Sequence, residues 1–187
     1  MNITNKQEVI TIIKGFVRAY PLYFSVLAII LGGVFKLNIL LYLILLISIS
    51  STVNSKVTKP IVFDLFKKLN MKSVSARPSG ADNCSFFIDE FNPKIVSNSY
   101  GMPSGHSLES MTISVFLIMY IHKHHTTGLR KYALIIIILL IGLGVCISRV
   151  TLGCHTILQI IIGGLLGSVI GYYGFMLWDK KLEPLLK

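Results

Sequence analysis

Two arginines and two histidines of this 187-residue sequence have the types and positions needed for chemistry on a phosphate group. Arg77 and His106 lie in a polar stretch, and Arg149 and His155 lie in a short link between two apolar segments. The planar guanidinium of arginine suits phosphate oxygens, whereas an imidazole can attack phosphorus or protonate a departing oxygen. These four residues therefore indicate phosphoryl transfer with a histidine nucleophile and no metal ion.

Neighbouring residues support the same chemistry. The backbone N–H groups around Gly105 lie at a predicted helix N-terminus, which favours a bound anion. Gln159 lies four residues after His155 and hence on the same helix face, so its side-chain carbonyl can accept a hydrogen bond from Nδ1 of His155. Nε2 is then left to attack, and the helix N-terminus disfavours the imidazolium form. Glu109, one turn after His106, either hydrogen-bonds this histidine, forms a salt bridge with a cation, or simply reaches water.

The composition places these residues in a membrane protein. Hydrophobic residues make up 53% and charged residues only 14% of the chain, and the mean hydropathy is +0.71. A soluble domain has roughly a quarter of its residues charged. Because each apolar block approaches the roughly 17–25 residues that cross a bilayer, we predict an all-α integral membrane helix bundle. The five predicted spans lie at about 19–35, 37–53, 107–121, 132–147 and 156–178, and an amphipathic interfacial helix at 9–18 would be a sixth helix.

The chain is predicted to form one membrane-embedded domain over residues 1–187. Residues 19–53 hold two N-terminal spans, 54–106 form a catalytic loop, and 107–178 hold three C-terminal spans with the rest of the site. Two spans separate the loop from the link at 148–155, so both lie on the same side of the membrane. Glycines recur on the last span and are expected to let helices approach closely; they are Gly163, Gly164, Gly167, Gly171 and Gly174.

Charge and cysteine content limit the expected partners. Lys and Arg outnumber Asp and Glu by 18 to 8, which suits anionic headgroups or an anionic substrate. The cations form no single basic stripe, so a nucleic-acid partner is not expected. Three cysteines without CxxC spacing imply neither a disulfide framework nor a zinc site. The histidine-rich tract at 122–125 is expected to be a solvated connection between spans rather than a metal site.

The ordered set of motifs resembles the three signature blocks of the type 2 phosphatidic acid phosphatase superfamily, written K-x6-RP, PSGH and SR-x5-H-x3-D. The matching segments are Arg77-Pro78, Pro103-Ser104-Gly105-His106, and Ser148-Arg149 with five residues before His155. The resemblance implies that His155 becomes phosphorylated and that His106 acts as the acid. It also implies that the phosphate is bound by the residues of these blocks, namely Arg77, Pro78, Ser104, Gly105 and Arg149.

Two positions depart from the family pattern. The family lysine would lie seven residues before Arg77, where this chain has Asn70, and we predict that the nearby Lys72 takes its place. The family aspartate four residues after the nucleophile is Gln159, as in the dolichyl diphosphatase and glucose-6-phosphatase branches. The segment Tyr100-Gly101-Met102-Pro103 also resembles the dolichyl diphosphatase branch, which favours a polyprenyl diphosphate substrate.

The resemblance predicts a membrane phosphatase that hydrolyses a lipid phosphate or diphosphate through a phosphohistidine intermediate and without a cofactor. The substrate would be a polyprenyl diphosphate or of the phosphatidic acid class, with its tail along the last spans. Two alternatives remain open: a lipid phosphotransferase with the same site, and a catalytically impaired protein that keeps the fold. Orientation is also open. Of the 18 Lys and Arg residues, 11 lie on the predicted site side, which favours the cytoplasm, whereas enzymes of this family usually face the site away from it.

Overall fold

The computed structural model describes residues 3–82, 84, 96–124 and 128–186. These residues form seven α-helices joined by loops, and the only β-type pairing among them is a bridge between Ala76 and Tyr100. The predicted all-α fold is therefore confirmed. The helices are α1 (Ile3–Val34), α2 (Asn38–Val53), α3 (Lys59–Lys68), α4 (Lys72–Ser75), α5 (Gly105–His124), α6 (Leu129–Thr151) and α7 (Ile157–Leu177).

Three helical stretches of the described chain are long and apolar enough to cross a membrane. They are Asn38–Lys68, Leu129–Thr151 and Ile157–Leu185. The membrane character is thus supported, but the predicted count of five spans is not confirmed. The apolar part of α1, Arg18–Val34, is shorter. α5 is long enough, but polar residues lower its hydropathy. The fold buries these side chains inside the protein; they are Ser107, Glu109, Ser110, Thr112 and Ser114.

The N-terminal helices are longer than predicted. The expected interfacial helix at 9–18 is not a separate element, because α1 continues from it into the first apolar block without a break. Pro21 lies inside α1, and the hydroxyl of Ser25 donates to its carbonyl at 2.8 Å. α2 likewise continues through a π-helical turn, Asn54–Thr58, into α3. This wider turn directly precedes Pro60, which has no N–H to donate to a regular turn. The first part of the predicted catalytic loop is therefore helical.

Close packing of α7 against α5 brings the N-terminal ends of both helices together. A Cβ on Gly163 would lie 2.5 Å from the Ser104 carbonyl oxygen, and one on Gly171 would lie 2.6 Å from that of Thr112. A Cβ on Gly167 would likewise meet the Leu108 carbonyl, whereas one on Gly174 would meet only the flexible end of the Leu46 side chain. The expected close approach is thus confirmed at Gly163, Gly167 and Gly171. Gly164 differs, because its Cβ would be in ordinary contact, 3.5 Å from Met111 Cγ.

The apolar core lies about two turns along α5 from its N-terminal end. It joins α2, α5 and the end of α7 through Leu43, Ile47, Ile113, Phe116, Phe175 and Trp178. Tyr42 reaches across this core and donates to the Gly174 carbonyl at 3.0 Å. The core therefore holds three helices in a fixed arrangement and leaves their polar ends to build the site.

Candidate active site

The link between α6 and α7 holds His155 against the end of α6. Gly153 has φ +68°, a left-handed conformation that side chains disfavour, and it ends α6 with a Schellman turn. The backbone N–H groups of Cys154 and His155 both donate to the Arg149 carbonyl, at 3.0 and 3.1 Å. The predicted nucleophile and the predicted phosphate-binding arginine are therefore fixed to each other through the backbone.

Gln159 fixes the tautomer and direction of the His155 ring. Its Oε1 lies 3.0 Å from His155 Nδ1. The amide nitrogen of Gln159 donates to the carbonyls of Val74, at 3.1 Å, and Ala76, at 2.7 Å, so Oε1 has to be the atom that faces the histidine. Nδ1 must then donate, which leaves Nε2 of the neutral ring as the unprotonated nitrogen.

The protonation state of His155 suits a nucleophile. The side chain is buried, with 3% exposed. Burial lowers the pKa of His155 well below its usual range, and the neighbouring cations Arg77 and Lys59 lower it further, more than the hydrogen bond to Gln159 raises it. At neutral pH the imidazole is therefore uncharged and its Nε2 lone pair is available.

The three sequence motifs meet at Gln159. The Arg77 N–H donates to the Ser99 carbonyl at 2.8 Å, which pairs the first motif with the segment leading to the second. The Ser104 N–H of the second motif donates to the Gln159 carbonyl at 3.1 Å. Gly101 lies between them, and a Cβ there would be 2.7 Å from Gln159 Oε1 and 2.8 Å from the Arg77 nitrogen. Only glycine allows this approach, a constraint that its place in the sequence does not show.

Three cations, Arg77, Arg149 and Lys59, lie beside Gln159 and His155 and form the cationic cluster of the site. The guanidinium of Arg149 is fully buried, and its Nη2 donates to the Cys84 carbonyl at 2.8 Å. Its Nε and Nη1, and Nη1 of Arg77, are buried with no hydrogen-bond partner in the described part of the chain. Lys59 lies within electrostatic range of both arginines. Burial lowers the pKa of Arg77, yet a guanidinium stays charged at neutral pH. Buried cations with unused donors suit a phosphate group.

His106 lies at the same end of the bundle. Its Nε2 is 3.0 Å from the Arg18 carbonyl oxygen, and because a carbonyl can only accept, Nε2 carries the proton. Arg77, Lys59 and Arg149 all act electrostatically on His106. The same three cations act on His155. Both imidazoles therefore border one cationic cluster.

The remaining predicted residues differ in their burial and in the partners they contact. Ser104 is fully buried, and its Oγ accepts from the hydroxyl of Ser107 at 3.0 Å, while Gly105 begins α5 directly after it. Pro78 follows Arg77, and its carbonyl accepts from the Ala81 N–H at 3.3 Å. Lys72 is exposed at the start of α4, with its ammonium 5.7 Å from the centre of the Phe63 ring. Its role as the family lysine stays a prediction.

Sequence reasoning missed two cationic residues and a disulfide. Lys59 and Arg18 come from the N-terminal helices, at spacings from the motifs that carry no recognisable pattern. The statement that cysteines imply no disulfide was wrong, because Cys84 and Cys154 are bonded to each other across 70 residues. Spacing could not reveal a pair that only the fold brings together.

Glu109 contacts neither histidine through a hydrogen bond described in the structure. It is buried and accepts a 2.5 Å hydrogen bond from the hydroxyl of Ser51. Its second carboxylate oxygen has no partner among the described residues. Lys59 and Arg149 lie within electrostatic range of it. The burial of Glu109 thus contradicts the reading in which it reaches water, and the two nearby cations favour the reading as a charge partner. A bond to His106 stays a prediction.

A possible metal-ligand group lies at the opposite end of α5. His124, Asp179 and Glu183 place one ligand atom each within 4.8 Å of one another. Lys123 forms ion pairs with Asp179 and, at 3.9 Å, with Glu183, so an ammonium already compensates part of the charge of these two carboxylates. His124 ends α5, whereas His125 lies outside the described residues. This group is therefore best described as an ion-pair network that joins α5 to the C-terminal segment.

Two histidines and three cations thus lie together at one end of a membrane helix bundle. The model of the PAP2 superfamily matches residues 35–183, which include both histidines, both arginines and Gln159. The chain therefore belongs to the PAP2 superfamily.

Among individual proteins, dolichyldiphosphatase 1 of Homo sapiens is 34% identical to this chain over 98 residues. That match covers 48% of the chain and 41% of the relative. Dolichyldiphosphatase 1 of Mus musculus and of Rhinolophus ferrumequinum are both 35% identical over matches of the same extent. The chain thus spans about two fifths of the length of these curated relatives. No solved structure matches the chain significantly.

Proposed function

We propose that this protein is a membrane phosphatase that hydrolyses a lipid phosphate or diphosphate through a phosphohistidine at His155. The proposal rests above all on the bond from His155 Nδ1 to Gln159 Oε1, at 3.0 Å, beside buried arginines with unused donors. That combination presents a neutral nucleophilic nitrogen to the place where an anion binds best.

The proposed reaction has two steps. In the first, His155 Nε2 attacks phosphorus and the bond from phosphorus to the leaving oxygen breaks. The imidazolium form of His106, which the bound phosphate dianion favours, gives that oxygen the proton of Nδ1, while its Nε2 stays bonded to the Arg18 carbonyl. Arg77 and Arg149 stabilise the negative charge on the remaining phosphoryl oxygens. In the second step water attacks the phosphohistidine, His106 takes up a proton from the water, and inorganic phosphate leaves. A diphosphate substrate is thereby converted to a lipid monophosphate.

A polyprenyl diphosphate is the proposed substrate. The curated relatives are named dolichyldiphosphatases, and Gln159 and the segment 100–103 carry the resemblance to that branch. An apolar groove of about 270 Å³ between α5, α6 and α7 supports a long apolar tail. Ile160 and Ile161 line it directly after Gln159, and Cys146 and Ile147 line it just before Arg149. The groove therefore begins within about one helical turn of Arg149 on α6 and of Gln159 on α7.

A substrate panel tests this function. Detergent-purified protein in EDTA is given polyprenyl diphosphate, polyprenyl monophosphate, diacylglycerol pyrophosphate and phosphatidic acid, and released inorganic phosphate is measured. We expect the polyprenyl diphosphate to be hydrolysed fastest and EDTA to have no effect, because arginine cations supply the charge that a metal would supply. Transfer of phosphate to an added lipid alcohol would identify a phosphotransferase instead. Release from none of the four would identify an impaired family member.

The groove adds an internal control to this panel. Gly164 has room for a side chain, so Gly164→Phe should fill the groove without separating α7 from α5. We expect it to raise KM for a long polyprenyl diphosphate by about tenfold or more, since buried methylenes of the tail are displaced. Turnover of short geranyl diphosphate should hardly change. Gly144→Phe, where a side chain meets open space, is the matched control. An equal effect of Gly164→Phe on both chain lengths would contradict the groove as tail site.

The disulfide supports an orientation with the site facing away from the cytosol. Disulfides persist in oxidising compartments and are rare in the cytosol. The opposing majority of cations on the site side is weak evidence, because many of these cations lie in a long segment or in the site itself. In intact cells, a membrane-impermeant maleimide is expected to label Ser79→Cys and to spare Leu129→Cys, two exposed positions on opposite sides. Labelling with the opposite pattern would place the site in the cytosol.

A further inference from the structure

The Cys84–Cys154 disulfide lies directly beside the groups that bind and attack phosphate. The two Cα atoms are 5.6 Å apart, and both side chains are buried, with 4% and 0% exposed. Ala81, Val96 and Leu152 pack around the sulfur atoms. The disulfide is thus a buried part of the fold and joins the segment after Arg77 to the link that carries His155.

Both ends of the disulfide hold Arg149. At one end, the Cys154 N–H donates to the Arg149 carbonyl at 3.0 Å, and the adjacent His155 N–H donates to the same oxygen. At the other end, the Cys84 carbonyl accepts from Arg149 Nη2 at 2.8 Å. The disulfide therefore closes a ring that runs from the guanidinium through Cys84 and Cys154 back to the Arg149 backbone.

The orientation of the Arg149 guanidinium depends on this ring. The Cys84 carbonyl is its only hydrogen-bond acceptor within the described ranges, since Nε and Nη1 have no partner there. The chain before Cys84 is held at Ala81, whose carbonyl accepts from the Val96 N–H at 2.9 Å. Beyond Ala81, the covalent bond to Cys154 keeps the Cys84 carbonyl over the guanidinium.

We propose that the Cys84–Cys154 disulfide is a positioning element of the phosphate site, which makes phosphate binding depend on its oxidised state. This inference rests on the proposed function of the site. A dithiol reductant supplies two electrons and two protons, converts the disulfide to two thiols and is itself oxidised to a disulfide. The released Cys84 carbonyl then no longer holds Arg149 Nη2. The arginine loses its fixed direction, whereas His155 keeps its bond to Gln159 at the start of α7.

The test compares oxidised protein, dithiothreitol-reduced protein and the double variant Cys84→Ser/Cys154→Ser. Two quantities are measured in each sample: kcat/KM with the best lipid substrate, and the affinity for inorganic phosphate by calorimetry. Leu152→Ala, which removes packing beside the sulfur atoms but leaves the disulfide in place, is the matched control. Mass analysis of alkylated peptides reports whether Cys84 and Cys154 are oxidised or reduced. The double variant lacks the disulfide even if dithiothreitol does not reach it in the wild-type protein. All measurements are made well below the melting temperature of each sample.

We expect loss of the disulfide to weaken phosphate affinity and kcat/KM by about tenfold, the value of one charge-assisted hydrogen bond. Reoxidation should restore the phosphate affinity and kcat/KM of the wild-type protein. Dithiothreitol should change neither quantity in the double variant. Unchanged phosphate affinity in the folded double variant would overturn the proposal, as would an equal loss of phosphate affinity in Leu152→Ala. If oxidised protein binds phosphate but hydrolyses no lipid, the proposed function fails, and the binding comparison still decides the role of the disulfide.

Discussion

Replacing His155 with alanine is expected to lower phosphate release from the lipid substrate by about a thousandfold or more. The variant removes the imidazole whose Nδ1 is bonded to Gln159 and whose unprotonated Nε2 is the proposed nucleophile. The backbone bond from residue 155 to the Arg149 carbonyl does not need the side chain, so the cationic cluster should persist. Substrate binding should therefore survive while chemistry is lost.

Two measurements make this prediction specific. His122→Ala changes an exposed histidine at the far end of α5 and should leave activity intact. Rapid quenching of the wild-type reaction with labelled substrate should give an acid-labile phosphate on the peptide that contains His155. Purified His155→Ala that still turns over substrate, or a label on another peptide, would refute the nucleophile assignment.

Gln159→Glu is expected to reduce activity by about a hundredfold although it replaces only one amide nitrogen by oxygen. In the native protein that nitrogen donates to the carbonyls of Val74 and Ala76. A carboxylate oxygen there would face two acceptors in a fully buried position, which costs free energy and displaces the residue. The ring of His155 would lose its orientation, and the first motif would lose its anchor to α7.

Thr156→Ala separates positioning from helix stability. Thr156 caps α7 by accepting from the Gln159 N–H at 3.3 Å, and its loss should cost about 1 kcal/mol of folding free energy. The bond from His155 to Gln159 remains, so kcat should stay within about twofold of wild type. Full activity in Gln159→Glu would show that the amide donor is dispensable, and an equally large loss in Thr156→Ala would trace the effect to stability.

The part of the site that could be predicted is the part that local geometry controls. The pair His155 and Gln159 follows from a spacing of four residues at a helix start, and the structure contains the expected hydrogen bond. The two predicted spans between the loop and the link predicted Arg77, His106 and Arg149 on one side of the membrane, and in the structure these residues lie around one cluster.

The part that escaped prediction depends on contacts between distant segments. Lys59 reaches the cluster because α2 continues through a π-helical turn, and no spacing rule relates it to Arg77. The Cys84–Cys154 pair needs the fold to bring two loops together. The five-span count assumed that every crossing helix faces lipid and is apolar, whereas α5 is surrounded largely by other helices.

This surrounding of α5 has a consequence for biosynthesis. A helix with a buried glutamate and a row of serine and threonine side chains gains little from hydrocarbon on its own. Its hydroxyls find acceptors on later helices, as when Thr112 donates to the Gly167 carbonyl at 3.1 Å and Ser114 donates to that of Ile138 at 3.2 Å. Because α6 and α7 are translated after α5, these acceptors become available only once the later helices have been made. We therefore expect α5 to pack into the bundle together with α6 and α7.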